Sequence, residues 1–485
     1  MVGEAGVARD NGACVLFPTF EFAVFFSLTF VGSWLLRPHP LAWRWFVLAA
    51  SYFFYAWWDP RFVLLLAGST VVNQAAAVAI ARVAAPAGRR GLLILAVAVN
   101  LAVLGFFKYY GFFLTSVADG LDRVGLHTSP PLLQVVLPIG ISFFTFQALS
   151  YVIDTYRGDT SPAPTLDFAV YLSFFPHLVA GPIVRARELL PQLTERPDPR
   201  RIDAALAFRL IFAGLFKKVV ISSFVAGAIV EPVFANPGSH QNLEILFAVY
   251  GYAVQIYADF SGYTDIAIGC ALLLGLRFPQ NFDAPYAATS IQSFWRKWHM
   301  TLSFWLRDYL YIPLGGNQGG EARMRRNLLL TMVIGGLWHG AAWTFVVWGA
   351  IHGLALVGER EWDQRRRARG AVPRWWSPIA RWAVTFHVVC LAWIFFRAES
   401  FGKAGELLWR LLTAWGTGTL VKPMLVFVVV AMVAAQFVPI DVVSRAQAVF
   451  SRAAPAVQGV CLALGLLVID ALGPTGVAPF IYFQF

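Results

Sequence analysis

Apolar residues run along this chain in stretches of about twenty, separated by short connections rich in Arg, Pro and Gly. A stretch of ~20 apolar residues is the length of a helix that crosses a bilayer. The candidate spans are residues 15–36, 41–58, 61–83, 91–113, 132–153, 168–184 and 204–234, then 243–276, 327–358, 376–396, 423–437 and 457–472. Segments 243–276 and 327–358 are too long for one straight crossing, so each is expected to be tilted, broken or in two pieces. The segments are continuous apolar runs and not ten-residue alternations, which predicts helices and not barrel strands. The longest polar connections, 185–201 and 359–373, are loop-sized, so residues 1–485 read as a single multi-pass domain. No internal repeat is visible, which disfavours an inverted-repeat transporter.

One region breaks the pattern. Residues 281–317 are aromatic and amphipathic but not apolar enough to span. Read as a helix, Trp295, Trp298, His299 and Leu302 share one face at i, i+3, i+4 and i+7, with Arg296, Lys297 and Arg307 elsewhere. Pro313 and the pair Gly315-Gly316 then force a turn before Asn317. The region reads as an interfacial or re-entrant element, tolerated at membrane depth only where protein or a cavity surrounds it.

Composition supports a lipid-facing surface. Hydrophobic residues make up 58% of the 485 and charged residues 13%, about half the ~25% of a soluble domain. The net charge of +11 suggests nucleic acid until its placement is considered. The arginines cluster at 89–90, 185–201, 323–326 and 360–374, the pattern of cytoplasmic loops against anionic headgroups. Nucleic-acid binding is therefore excluded as a reading. Cys14, Cys270, Cys390 and Cys461 show no paired or metal-ligand spacing and read as core filler, so no metal is expected. The N-terminal stretch lacks a small-residue cleavage site and reads as a retained helix.

Within apolar segments, ionisable groups are costly and usually functional or paired. His39, His127 and His240 lie in loops. His387, alone in an apolar run, reads as a hydrogen-bonded structural imidazole, and His352 stands evenly between a structural and a functional role. His339 is distinguished by Gly335-Gly336 before it and Gly340 after it, which permit close backbone approach and departure from regular helix. Its uncharged surroundings favour the neutral ring, which a general base requires. Asp259 and Asp265 are read as bonded to Arg or Lys of neighbouring spans and not as a catalytic carboxylate pair; Lys217 and Lys218 are either those partners or snorkel to an interface.

Taken in order, several blocks are highly specific. They are Phe17–Phe22, Ser51–Trp58, Leu137–Gln147, His177–Ile183, Asp259–Asp265, Ser293–Asn317, Gly335–Gly340 and the terminal Phe480–Phe485. Together they resemble the membrane-bound O-acyltransferase family, in its bacterial branch that includes the alginate O-acetyltransferase membrane subunit. The signature core spans about residues 137–358. The resemblance implies an all-α polytopic fold, a ring of roughly 11–14 helices with re-entrant or interfacial helices around a central tunnel. It implies a bacterial inner-membrane enzyme with catalytic His339 and His299. Trp295, Trp298, Trp338 and Asn317 would line the substrate tunnel, and Arg296 and Lys297 would meet the donor. No cofactor is expected to be bound; acetyl-CoA is the implied acyl-donor substrate. The implied acceptor is an extracytoplasmic polysaccharide, with an SGNH-hydrolase-like partner completing transfer. Two rivals remain: D-alanyl transfer from a carrier protein to teichoic acid, and a proton-coupled transporter or flippase.

Overall fold

The computed structural model describes residues 17–127, 133, 135–195, 197–370, 376–473 and 481. Cys14 and most of the terminal Phe480–Phe485 block lie outside them. Among the described residues every regular element is a helix, so the all-α expectation holds. The chain packs as two compact units, each assembled from segments distant in sequence. One comprises Met1–Val103, Pro138–Asp203 and Cys270–Phe278; the other comprises Leu104–Leu137, Ala204–Gly269 and Pro279–Phe485.

The first unit contains α1 (Phe20–Leu36), α2 (Pro40–Trp58), α3 (Arg61–Arg82), the beginning of α4 (Pro86–Arg123), α5 (Ile141–Arg157) and α6 (Thr165–Ser173). Thr19 caps α1 by accepting the Phe22 N–H at 3.2 Å, and Pro40 occupies the first turn of α2, where its missing N–H costs nothing. Between helices the unit is joined by side-chain amides. Asn73 and Asn100 donate to each other at 3.2 and 2.8 Å, and Tyr151 donates to Gln74 at 2.9 Å. Such bonds serve as glue where lipid offers no hydrophobic drive between helices.

Segment 168–184 is not the single span its apolarity suggests. α6 ends at Ser173, a short turn follows at Phe175–Leu178, and the chain then runs irregularly through Gly181 and Pro182. Every residue from Phe168 to Val184 is buried. The segment is apolar because protein covers it, which is the condition for irregular backbone in a membrane protein.

In the second unit, the long segment near 243–276 is one unbroken helix, α7 (Asn242–Leu273), of 32 residues. Beside it runs a helical stretch from Ala204 whose middle, Phe216–Ser222, is π-helical. Here the four membrane charges pair as expected. Lys217 meets Asp265 at 2.6 Å and Ser261 at 2.9 Å, while Lys218 pairs with Asp259, which also accepts the Ile481 N–H at 2.8 Å. Adjacent lysines point about 100° apart and carboxylates six residues apart about 120°, so two neighbouring helices match pair to pair.

Helices α8 (Ile291–Trp295) and α9 (Met300–Leu306) replace the single amphipathic helix expected over 293–308. The long segment 327–358 is broken in two: α10 (Glu321–His339) and α11 (Trp343–Ala368). They lie backbone to backbone. A Cβ on Gly336 would sit 2.3 Å from the Phe345 carbonyl, and one on Gly349 2.3 Å from the Met332 carbonyl. Helix α12 (Ser377–Arg397) packs against α11.

Among the described residues four helices are long and apolar enough to cross a membrane: Arg61–Arg82, Pro86–Arg123, Ser377–Arg397 and Pro455–Leu472. A fifth arises if Pro423–Phe437 and Asp441–Arg452, bent by 92°, form one span. Cys270 and Cys390 are buried filler as read, whereas Cys461 is exposed.

The Lys218–Asp259 pair yields a prediction. Lys218→Met strands a buried carboxylate and should cost about 3–5 kcal/mol, whereas Lys218→Met with Asp259→Leu should recover most of that loss. Unfolding midpoints in one detergent read the difference.

Candidate active site

Helix α10 delivers His339 as its last residue. The helix stops because Gly340 turns extended, with φ −156° and ψ 150°. The chain crosses residues 340–342 and re-enters helix at Trp343. The Phe345 ring lies directly on Gly340, where a Cβ would come within 2.0 Å of it. Ending a helix leaves its last carbonyls without intrahelical partners, and here the end is buried. Helix α4 supplies them. Tyr109 donates its hydroxyl to the Leu337 carbonyl at 2.6 Å, and the Lys108 ammonium donates to the carbonyls of Trp338 and, at 3.1 Å, His339. A cation there also complements the negative end of the helix dipole. Neither residue was singled out in the sequence; the signal was a cation inside apolar segment 91–113.

The His339 side chain is 4% exposed. Its ring packs nearly perpendicular to Trp338 and Trp348, each 5.0 Å away, and to Phe396 at 5.2 Å. Aromatic edges and faces thus hold the imidazole at three sides.

His299 reaches the same cluster from a different element. It is the N-cap of α9 with φ 41° and ψ 55°, a left-handed conformation uncommon outside glycine. This turn breaks the helix expected through Trp295, Trp298, His299 and Leu302. Its Nδ1 lies 3.1 Å from Asn281 Oδ1, which also accepts the Thr301 N–H at 3.2 Å and hydroxyl at 2.9 Å. With Asn281 oxygen as acceptor, the His299 proton sits on Nδ1 and Nε2 carries the lone pair of the neutral ring. Trp338 stands between the histidines, its ring 6.1 Å from His299 and 5.0 Å from His339.

His352 completes the cluster. Trp295 donates its indole N–H to His352 Nδ1 at 3.3 Å, so the His352 proton lies on Nε2 and that nitrogen is a donor. Trp348 is 4.9 Å from His352, and Trp298 packs on Trp393 at 5.1 Å. Of the residues expected to act, His339, His299, Trp295, Trp298 and Trp338 are therefore brought together. Arg296 is exposed, and Lys297 is half-buried beside Asp283 at 3.8 Å. Asn317 sits on an exposed turn, accepting from Tyr311 at 2.7 Å. That turn folds back on α10, where Asn327 donates to the Gly316 carbonyl at 3.1 Å; Asn327 lies roughly 18 Å from His339 by helical rise.

The remaining membrane histidines have structural partners. His387 bonds Tyr250 at 2.8 Å and the Ala383 carbonyl at 2.7 Å, the structural role expected of it. His177, in the first unit, bonds the Tyr171 carbonyl at 2.9 Å.

A buried histidine pair at a broken helix, walled by tryptophans, is an arrangement for proton transfer in a dry site. The profile of the MBOAT, membrane-bound O-acyltransferase, family matches residues 131–398, and the chain belongs to that family. It is an O-acyltransferase and a multi-pass protein of the bacterial inner membrane. It is 44% identical over 373 residues to a probable alginate O-acetylase, AlgI, of Pseudomonas aeruginosa, covering 76% of this chain and 68% of that one. It is 39% identical to a peptidoglycan O-acetyltransferase of Helicobacter pylori, over 81% and 78% of the two chains. A teichoic acid D-alanyltransferase of Bacillus subtilis is more distant, at 26% over 60% and 75%.

If Lys108 holds the end of α10, Lys108→Met should lower turnover about 10²-fold while the protein still folds, because small displacements of a reacting group are that costly. Lys108→Arg should recover part of it. Turnover normalised to folded protein checks this.

Proposed function

We propose that this chain transfers an acetyl group from acetyl-CoA, entering on the cytoplasmic side, for O-acetylation of an extracytoplasmic polysaccharide, with His339 as general base. The observation that carries the proposal is His339 itself, a buried imidazole fixed at the buried end of a broken helix, with His299 across the Trp338 ring. The names of the relatives at 44% and 39% identity support an acetyl group and a cell-surface glycan.

The chemistry balances with groups in place. The acceptor hydroxyl gives its proton to His339 as its oxygen attacks the thioester carbonyl carbon. The resulting oxyanion needs donors. Trp348 Nε1 and His352 Nε2 are buried N–H groups without a hydrogen-bond partner among the described residues; the Trp348 ring packs on His339, and His352 packs on Trp348. Collapse breaks the carbon–sulfur bond, and the leaving thiolate takes the proton from the His339 imidazolium. The neutral tautomer of His299 suits it to accept a proton or a hydroxyl hydrogen bond through Nε2, and not to donate to the oxyanion. Trp295, Trp298 and Trp338 wall a tunnel joining the two sides, and Arg296 and Lys297 draw the donor's phosphates. The ester formed on that first acceptor hydroxyl is passed outside the membrane by an SGNH-hydrolase-like partner to a glycan hydroxyl, a transesterification that breaks the first ester and frees its hydroxyl for the next turn.

The test uses purified protein in nanodiscs with radiolabelled acetyl-CoA. Wild type should release CoA; His339→Ala should lose about 10²–10⁴-fold and His299→Ala a comparable or smaller factor. Turnover only with a D-alanylated carrier protein would move the donor assignment to D-alanyl transfer.

A further inference from the structure

Arg37 is a buried cation that nothing in the acyl-transfer chemistry uses. It caps α1, with its backbone N–H on the Trp34 carbonyl. The residue is 8% exposed, and its Nε, Nη1 and Nη2 are all buried without a hydrogen-bond partner among the described residues. Its guanidinium carbon stands 3.8 Å over the centre of the Trp43 ring. That ring is fixed in turn, since Trp43 donates its indole N–H to Ser33 at 2.8 Å, both residues being buried.

Among the described residues the charge has no counter-charge at hand. The charged neighbour acting on it is a second cation, Arg44, whose own carboxylate partner is Asp167 at 2.6 Å. The local set is two guanidiniums and one carboxylate. Burial first, and then Arg44, lower the Arg37 guanidinium to about 10, so it is still a cation at neutral pH. An isolated buried charge is among the costliest features a fold can carry, and stacking on one indole offsets only a small part. Five N–H donors in a rigid fork, held over a fixed indole, match a tetrahedral oxyanion in charge and geometry.

Its position narrows the anion. One turn before Arg37, Trp34 donates to the Leu273 carbonyl at 3.1 Å. The adjoining Gly275 packs so closely on Pro197 that a Cβ would lie 2.7 Å from its ring. Arg37 therefore shares one end of the first unit with the arginine-rich connection 185–201, the end that charge bias assigns to the cytoplasm. The turn between α1 and α2 lies at headgroup level there, where phosphates are abundant.

We propose that Arg37, stacked on Trp43, anchors a phosphate-bearing anion at the cytoplasmic end of the first unit. Two sources share this chemistry: the phosphate of an anionic phospholipid and a soluble phosphate. The proposal is independent of the acyl-transfer reading, because its readouts are binding and stability.

The test compares full-length wild type with Arg37→Met, which keeps an apolar stem over Trp43 and removes the fork. After exhaustive detergent washing, wild type should retain about one more phosphorus per chain than the variant. Returning phosphatidylglycerol should raise the wild-type unfolding midpoint by several degrees and leave Arg37→Met within one degree. A rise with millimolar inorganic phosphate and none with phosphatidylglycerol assigns the soluble source. In fully delipidated detergent Arg37→Met should be at least as stable as wild type, since an uncompensated charge is gone. Equal phosphorus with equal lipid response in both proteins would overturn the proposal. So would an Arg37→Met protein that unfolds without lipid, because that outcome assigns Arg37 to packing.

Discussion

The structure around His339 depends on one constraint: a helix ends inside the protein, with its last residues buried. Three carbonyls, of Leu337, Trp338 and His339, must find donors inside the protein. Lys108 and Tyr109 meet that demand from α4. The consequence is positional. A side chain at the terminus of a satisfied, buried helix end has little freedom, and His339 is that side chain. The close approach of α10 and α11 at Gly336 and Gly349 fixes the helix axis, and the Lys108 cap fixes its end. The break between α10 and α11 is thus what places the imidazole.

The three histidines of the cluster are chemically different although all are buried. Asn281 holds the His299 proton on Nδ1, and Trp295 holds the His352 proton on Nε2. One ring therefore presents a lone pair and the other an N–H, the two kinds of group that deprotonation and oxyanion stabilisation need. Dry surroundings strengthen both. The tryptophans pack the site, exclude water and, through Trp295, set a tautomer, so replacing one alters electrostatics as well as volume.

Much of this was legible in the sequence. Length raised the same alternatives for segments 243–276 and 327–358, and only the second is broken; the glycines around His339 marked where the chain could leave regular helix. Lys217 and Lys218 were identifiable as partners of Asp259 and Asp265 because four charges in apolar helix have few alternatives. Periodicity misled over 293–308, where the i, i+4 pattern of Trp295, Trp298 and His299 is produced by two short helices and a left-handed histidine. Apolarity misled over 168–184, since burial in protein and burial in lipid select the same residues. Lys108 was passed over because its role lies in backbone capping, which leaves no spacing signature. Asn317 was assigned by resemblance, and the turn it occupies packs on α10 at Asn327, about three turns before His339.

The most direct measurement of the central claim is chemical rescue. In His339→Gly the base is replaced by a cavity, and turnover of acetyl-CoA should fall and then rise again with added imidazole. Substituted imidazoles of increasing basicity should restore progressively more, as general-base catalysis requires. A His339→Gly protein that turns over acetyl-CoA within a few-fold of wild type, with no response to imidazole, would contradict the account.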